Sequence, residues 1–300
     1  MGFYKMSKLL KKVRLTRNQQ GFLFILPATL FLILVILVPA VTTLNYSFTN
    51  PRNGAFPTFV NYIRLLGDSS FFNALTNTLI FVFFSVSFHL LVGLSVALFL
   101  NSNLPARDRK FFRVIAILPW TVPDVIVGIV WRWIYNPIHG PLNDALYRVG
   151  ISINTTINWL GSPDLAMISL IFANIWRGYA FVMLILLAGL QSIPKQLYEA
   201  ASIDGASSFN SFRYITLPGL KKMIAIAAAL DTIWEVRRFA LVKTMTGGGP
   251  GNATEVLSTR IYKEYFQFFK FEYASAMAVA LTVILFLISL PYIRTVLRKD

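Results

Sequence analysis

Cysteine is absent from the 300 residues, and histidine occurs only twice, at His89 and His139. The first absence excludes disulfides and thiolate metal sites and leaves the redox compartment undetermined. With no pair of histidines at helical spacing, the sequence offers no recognisable metal motif, and no metal is expected. Acidic groups are scarce: 13 Asp and Glu stand against 28 Lys and Arg, giving a formal net charge of +15 and a pI near 10.1. In a soluble chain such an excess would suggest nucleic acid. Here the basic residues gather at the ends of apolar runs, as topology signals do, so no nucleic-acid partner is expected. Internal repeats and low-complexity tracts are lacking. No nucleophile–base cluster has recognisable spacing, so no catalytic residue is assigned and the chain is not read as an enzyme.

What the sequence has in abundance is apolar length. Hydrophobic residues make up 56% of it, charged residues 14%, and the mean hydropathy is +0.61. Several windows exceed the roughly eighteen residues that a spanning helix needs. Residues 1–20 form a basic segment carrying Lys5, Lys8, Lys11, Lys12, Arg14 and Arg17. The apolar run that follows, about 22–41, is too long for a signal-peptide core and reads as an uncleaved first span. Further spans are expected at about 72–100, 114–135, 165–190, 223–242 and 271–290. Six spans put every basic-rich loop on one side: Arg107, Arg109, Lys110 and Arg113 in one, Lys195, Arg213, Lys221 and Lys222 in another, Arg294, Arg298 and Lys299 at the end. Both termini are then cytoplasmic. The expectation is one all-α, multi-pass membrane domain over 21–300, with Pro119 and Pro123 interrupting the third span and Trp131, Trp133 and Tyr135 at its outer interface.

Polar groups inside these spans carry more information, because a charge in hydrocarbon costs at least about 2.5 kcal/mol. Asp124 and Trp131 share a stripe of the third span, Asn174 and Arg177 lie three apart in the fourth, and Asp231, Trp234, Glu235 and Arg238 share a face of the fifth. They suit a water-filled pathway lined by hydrogen-bonding groups and an indole face. The competing reading is structural: Glu235 pairs locally with Arg238, and Asp231 pairs across to another helix. By helical rise Asp231 is the deep member, while Arg237 and Arg238 approach the outer surface. Gly247 to Gly251 is glycine-rich, but no Lys-Ser/Thr pair follows and no strand precedes it. It reads as a flexible turn and not as a phosphate cradle.

The most organised polar stretch is Ser192 to Leu220, set between two apolar segments, with Pro194 placed to open a helix and Gly205 to end one. Its Glu199-Ala200-Ala201, Gly205 and Ile215-Thr216-Leu217-Pro218 resemble the EAA loop of permease subunits from bacterial and archaeal ABC importers that use a solute-binding protein. Leu118-Pro119-Trp120, Trp131 to Trp133 and Met245 to Thr254 are similar to the carbohydrate-type branch, which includes maltose and glycerol-phosphate permeases. The similarity runs through essentially the whole chain.

That resemblance implies a type I importer permease architecture in a plasma (inner) membrane, within a heterotetramer. A second homologous permease would complete an alternating-access pathway through the lipid for a carbohydrate or polyol. Two cytoplasmic ATPases would use ATP and Mg, neither being bound by this chain, and an extracytoplasmic solute-binding protein would deliver the solute. By position, residues 194–203 would be the coupling helix, and Pro194, Leu197, Glu199, Ala200, Ala201, Asp204, Gly205, Leu217 and Pro218 would serve ATPase coupling. The chain departs from the family at Arg237-Arg238-Phe239-Ala240, where an Asp is common. The two cations could meet an anionic solute or anchor the span at the interface by snorkelling. The rival to the whole scheme is an ion-coupled secondary transporter or channel, which would use intramembrane acids such as Asp124 and Asp231 and need no coupling loop.

Overall fold

The computed structural model describes residues 16–150 and 156–297, and among these every regular element is helical. The basic N-terminal segment up to residue 15 lies outside the described residues. Helix α1 (Arg17–Leu32) passes through a π-helical turn, Ile33–Leu37, into α2 (Val38–Ser47). The wider turn sits just ahead of Pro39, which has no N–H to give the preceding turn and whose ring crowds it. The first spanning helix is therefore longer than expected, and its apolar side chains lie open to the surroundings. Helix α3 (Val60–Leu66) is pinned beneath it by Asn61 Nδ2, which donates to Ser47 O (3.1 Å) and Thr49 O (2.8 Å).

Helix α4 (Ser69–Asn101) starts on Asp68, whose side chain accepts from the Ser70 N–H in the manner of an N-cap. The third expected span is not one helix. Helices α5 (Ala106–Thr121) and α6 (Asp124–Ile134) meet at 93°. Val122 is extended, as a residue before proline tends to be, and Pro123 fixes the start of α6. Pro119 is tolerated inside α5. A short α7 (Pro141–Arg148) leads to α8 (Pro163–Ser192).

Helices α9 (Lys195–Ile203) and α10 (Ser208–Ser211), with a π-helical turn at Phe212–Thr216, lead into α11 (Leu217–Val236). The fifth expected span thus ends early: Arg237 and Arg238 form a turn, and α12 (Ala240–Met245) is separate. After α13 (Leu257–Tyr262) and a π-helical turn, Lys263–Gln267, α14 (Phe271–Leu297) completes the described chain.

Among the described residues, four helical stretches are each long and apolar enough to cross a membrane: Gly21–Ser47, Ser69–Asn101, Pro163–Ser192 and Phe271–Tyr292. The bent pair α5/α6 qualifies only as a unit. Helix α11 carries Lys221, Lys222, Asp231 and Glu235 and is not among them.

The centre of the bundle is the close passage of α4 along α8, made through small residues as membrane helix pairs favour. A Cβ at Gly93 would come 3.0 Å from Met183 N, and Ala97, Ala173 and Ala180 are fully buried. Helix α11 packs across both, with Ala227 and Leu220 fully buried. Helix α6 lies on α12, where Gly128 sits against Thr244. The glycine-rich stretch is a turn but a fastened one. Gly247, Gly248 and Gly251 take left-handed φ of +63°, +94° and +54°. Asn77 Nδ2 then donates to Asn252 O and Glu255 O (3.0 and 3.1 Å), and buried Glu255 pairs with Lys263 at 2.5 Å.

Candidate functional site

The polar residues of four helices meet in one cluster at the centre of the bundle. Asp124, in the first turn of α6, lies where a carboxylate is favoured by the helix dipole. The bend at Pro123 aims it at two cations: Arg177 Nε of α8 at 2.6 Å, and Arg238 Nη1 at 3.0 and 3.1 Å from its two oxygens. Arg238 stands three residues beyond Glu235, on the same face, and grips that carboxylate through Nη2 and Nε. Glu235 also accepts from Asn174 Nδ2 at 2.7 Å. One turn deeper, Asp231 pairs with His89 Nδ1 at 2.8 Å, while His89 Nε2 lies 3.1 Å from Asn174 O. His89, Asn174, Asp231 and Glu235 are buried, and Arg238 is only 8% exposed. Each acid faces a cation or an imidazole, which is how buried charge persists; removing one member of such a pair typically costs about 3–5 kcal/mol.

A cavity of about 570 Å³ opens beside the cluster. Asp124, Arg177 and Arg238 form its charged wall, Trp120 and Trp234 line it as well, and Arg237 reaches into it. The two indoles belong to one aromatic run, with Phe181 between them at 6.1 Å from Trp120 and 4.3 Å from Trp234. Hydrogen-bonding groups and π-faces line a space of a size that would admit a small polar solute.

The structure brings together most of the expected pathway residues: Asp124, Asn174, Arg177, Asp231, Glu235 and Arg238 in the cluster, Trp234 on the cavity. Trp131 is elsewhere, packed against Tyr135, Phe172 and Trp176. Tyr135 is buried and donates to Ser169 O, so it does not sit at an interface. Arg238 is also not a surface cation; the two acids it neutralises hold it inside. Both local and cross-helix pairings of the structural reading are present, and they form one wall of the cavity. Sequence reasoning weighed His89 only as a metal ligand and Trp120 only within a family motif, and it passed over Phe181. A lone titratable group within the apolar run of α4 was the available signal for His89.

His89, Asp231 and Glu235 place one ligand atom each within 4.8 Å of one another. The guanidinium of Arg238 already occupies the Glu235 carboxylate, so the protein itself supplies the positive charge that a metal would bring there.

At the opposite end of α8 the expected coupling residues lie on a free-standing element. Helix α9 has no buried residue, and Leu197 is 50% exposed. The helix closes as Gly205 takes φ +76°, Gly205 N–H bonding Ser202 O at 3.2 Å and Ala206 N–H bonding Ala201 O at 2.8 Å. This paired arrangement is the Schellman stop, which Asp204 precedes as the capping residue. Tyr198 Oη meets Thr216 Oγ1 at 2.9 Å, tying α9 to the base of α11, where Leu217 and Pro218 begin the helix.

A helical bundle with several membrane-spanning stretches and a buried charge cluster beside an open cavity is a construction that suits a membrane transport protein. Residues 89–300 match the family described as binding-protein-dependent transport system inner membrane component, and this chain belongs to it. It is 36% identical over 292 residues to the trehalose/maltose transport system permease protein MalF of Thermococcus litoralis, covering 96% of this chain and 97% of that one. It is 34% identical over 283 residues to the sulfoquinovosyl glycerol transport system permease protein SmoG of Agrobacterium fabrum, covering 93% and 90%. Its fold is similar to that of a bacterial ABC transporter involved in the import of the acidic polysaccharide alginate, with a TM-score of 0.82 at 24% identity over 97% of this chain and 100% of that one. The protein is thus a permease of a binding-protein-dependent importer, an inner-membrane transport subunit.

Proposed function

We propose that this chain is one of two permease subunits of an ATP-driven importer for a carbohydrate or related polyol, and that α9 docks it onto a partner ATPase. The observation that carries the docking reading is α9 itself. It is a nine-residue helix with no buried side chain, fixed at one end by the Gly205 stop and on its flank by Tyr198, between two long helices that both run to the charge cluster. Its small Ala200 and Ala201 permit close approach to a groove, and Glu199 presents a charge to a basic partner. The carbohydrate class is supported by the indole-lined cavity and by the sugars named for the two relatives above.

The same reading takes six crossings: the four long apolar helices, the bent α5/α6 pair and α11, whose acids are neutralised within the bundle. Both termini are then cytoplasmic. The chain binds no ATP or Mg; two ATPases use them, and an extracytoplasmic solute-binding protein delivers the solute.

Reconstitution with the partner permease, ATPase and solute-binding protein in proteoliposomes tests this. Uptake of a labelled disaccharide, tested in neutral and in uronate form, is expected to require ATP. Glu199→Lys and Gly205→Pro should abolish uptake while the variants still insert and the ATPase still turns over. Normal ATP-driven uptake by both variants would sink the docking role. Uptake driven by an ion gradient without ATPase would favour a secondary transporter instead.

A further inference from the structure

The two adjacent arginines after α11 have separate fates. Arg238 is buried and fully engaged by Asp124 and Glu235, with Arg177 sharing Asp124. Asp124 and Glu235 against Arg177 and Arg238 make a neutral set, and Asp231 is matched to His89. Arg237 is the remainder. It lines the cavity, is exposed, and has no acidic partner among the described residues. A guanidinium without a counter-ion keeps its planar donor fork available for a carboxylate, sulfonate or phosphate. The indoles of Trp120 and Trp234 line the same space, and apolar CH faces of a pyranose pack well on such rings.

We infer that the cavity selects a sugar bearing one acidic group, with Arg237 as the residue that determines this specificity and the indoles as the platform for the ring. The inference rests on the carbohydrate reading above. Arg238 plays a different part: together with Arg177 it holds Asp124 in the wall, and each of its guanidinium nitrogens already bonds Asp124 or Glu235. One carboxylate on the sugar would pair with the one uncompensated cation of the cavity lining, whereas a neutral sugar would offer it no counter-charge.

The test uses the assembled importer in phosphatidylcholine nanodiscs and two probes that differ only at C6, cellobiose and cellobiouronate, with binding followed by tryptophan fluorescence at fixed salt. Wild type should bind the acid at least tenfold more tightly than the neutral sugar. Arg237→Gln should reduce that preference at least fivefold, and Arg237→Lys should retain part of it. Arg237 is exposed and outside the buried cluster, so Arg237→Gln should melt with wild type, which separates loss of preference from loss of fold. Equal binding of both sugars by wild type, or an undiminished preference in Arg237→Gln, overturns the inference and leaves the carbohydrate reading standing. Binding of neither sugar overturns both. Repeating the titration in phosphatidylglycerol discs distinguishes the source of the anion: if anionic headgroups abolish the preference, Arg237 is a lipid anchor and the solute role is refuted.

Discussion

Gly178 faces the imidazole of His89 where α8 passes α4, and Gly178→Ala is the sharpest probe of that passage. A Cβ there would overlap the ring at Cε1 and Nε2 and lie 3.0 Å from Nδ1. The ring has nowhere to retreat. It is fully buried, and its nitrogens are held by Asp231 at 2.8 Å and by Asn174 O at 3.1 Å. Either the two helices separate or the ring gives up its partners. Overpacking alone costs about 1–3 kcal/mol, and losing a hydrogen bond to a charged group adds about 1.5–3 kcal/mol. The expected loss is on the order of 3–5 kcal/mol, read as a fall in melting temperature of roughly 6 °C or more when the complex is unfolded in nanodiscs. The specific check is a double-mutant cycle with His89→Ala. Removing the ring makes room for the methyl group, so the double variant should be less destabilised than the sum of the singles by at least about 1.5 kcal/mol. A Gly178→Ala protein that melts within about 1 °C of wild type, or strictly additive single effects, would refute this account of the contact.

Asp124→Leu should destabilise, by less than the roughly 3–5 kcal/mol of a fully buried pair, because Asp124 is 23% exposed and Arg238 keeps Glu235 while Arg177 loses its carboxylate; denaturation of the purified complex measures it. Trp234→Ala should weaken sugar binding with little change in melting temperature, since its ring is 39% exposed on the cavity; direct titration reads the affinity. Asp68 provides a pH prediction outside the spans. Burial pushes its carboxyl upward, but the Tyr273 hydroxyl (2.6 Å), the Ser70 N–H and the charge of Arg260 outweigh that and hold it below its ordinary value. A lowered folded value means stability that is present above the unfolded carboxylate pKa of about 3.9 and is lost as pH falls below it. Wild type should therefore lose melting temperature more steeply than Asp68→Asn as pH falls below roughly 4; parallel profiles would remove Asp68 from the account.

Where the sequence predicted well, the signal was length. The runs expected at about 72–100, 165–190 and 271–290 correspond to α4, α8 and α14 within a few residues at most ends, because nothing interrupts their hydropathy. It predicted poorly where one residue type has two outcomes. Pro119 and Pro123 look alike in sequence, yet Pro119 continues α5 and Pro123 begins a helix turned by 93°. Which proline becomes the corner depends on what α6 packs against, and no local pattern records that. The charge cluster follows from the corner: helical spacing put Glu235 and Arg238 on one face, but only the bend brings Asp124 to them. Periodicity identifies faces and is silent about which faces meet, so His89 looked isolated and Arg238 looked peripheral.

The cluster and the exposed helix α9 are joined by two straight paths. From Arg177 to Ser192 along α8 is about 22 Å, and from Leu217 to Glu235 along α11 is about 27 Å. Both rods end at the segment that carries α9, and Tyr198 fastens that helix to the base of α11. Asp124 belongs to α6, which packs on α8 but does not run on into the segment that carries α9, and its two cations stand on or just beyond the rods. Glu235 and Arg238 travel together because they are neighbours on one stretch of chain. Under the proposed docking role, a displacement of α9 carried by the rods would move Arg177, Glu235 and Arg238 relative to Asp124, so the Asp124 bonds are the ones it would strain. These bonds form the charged wall of the cavity, which is where the two proposed roles of the chain, docking and solute passage, would meet.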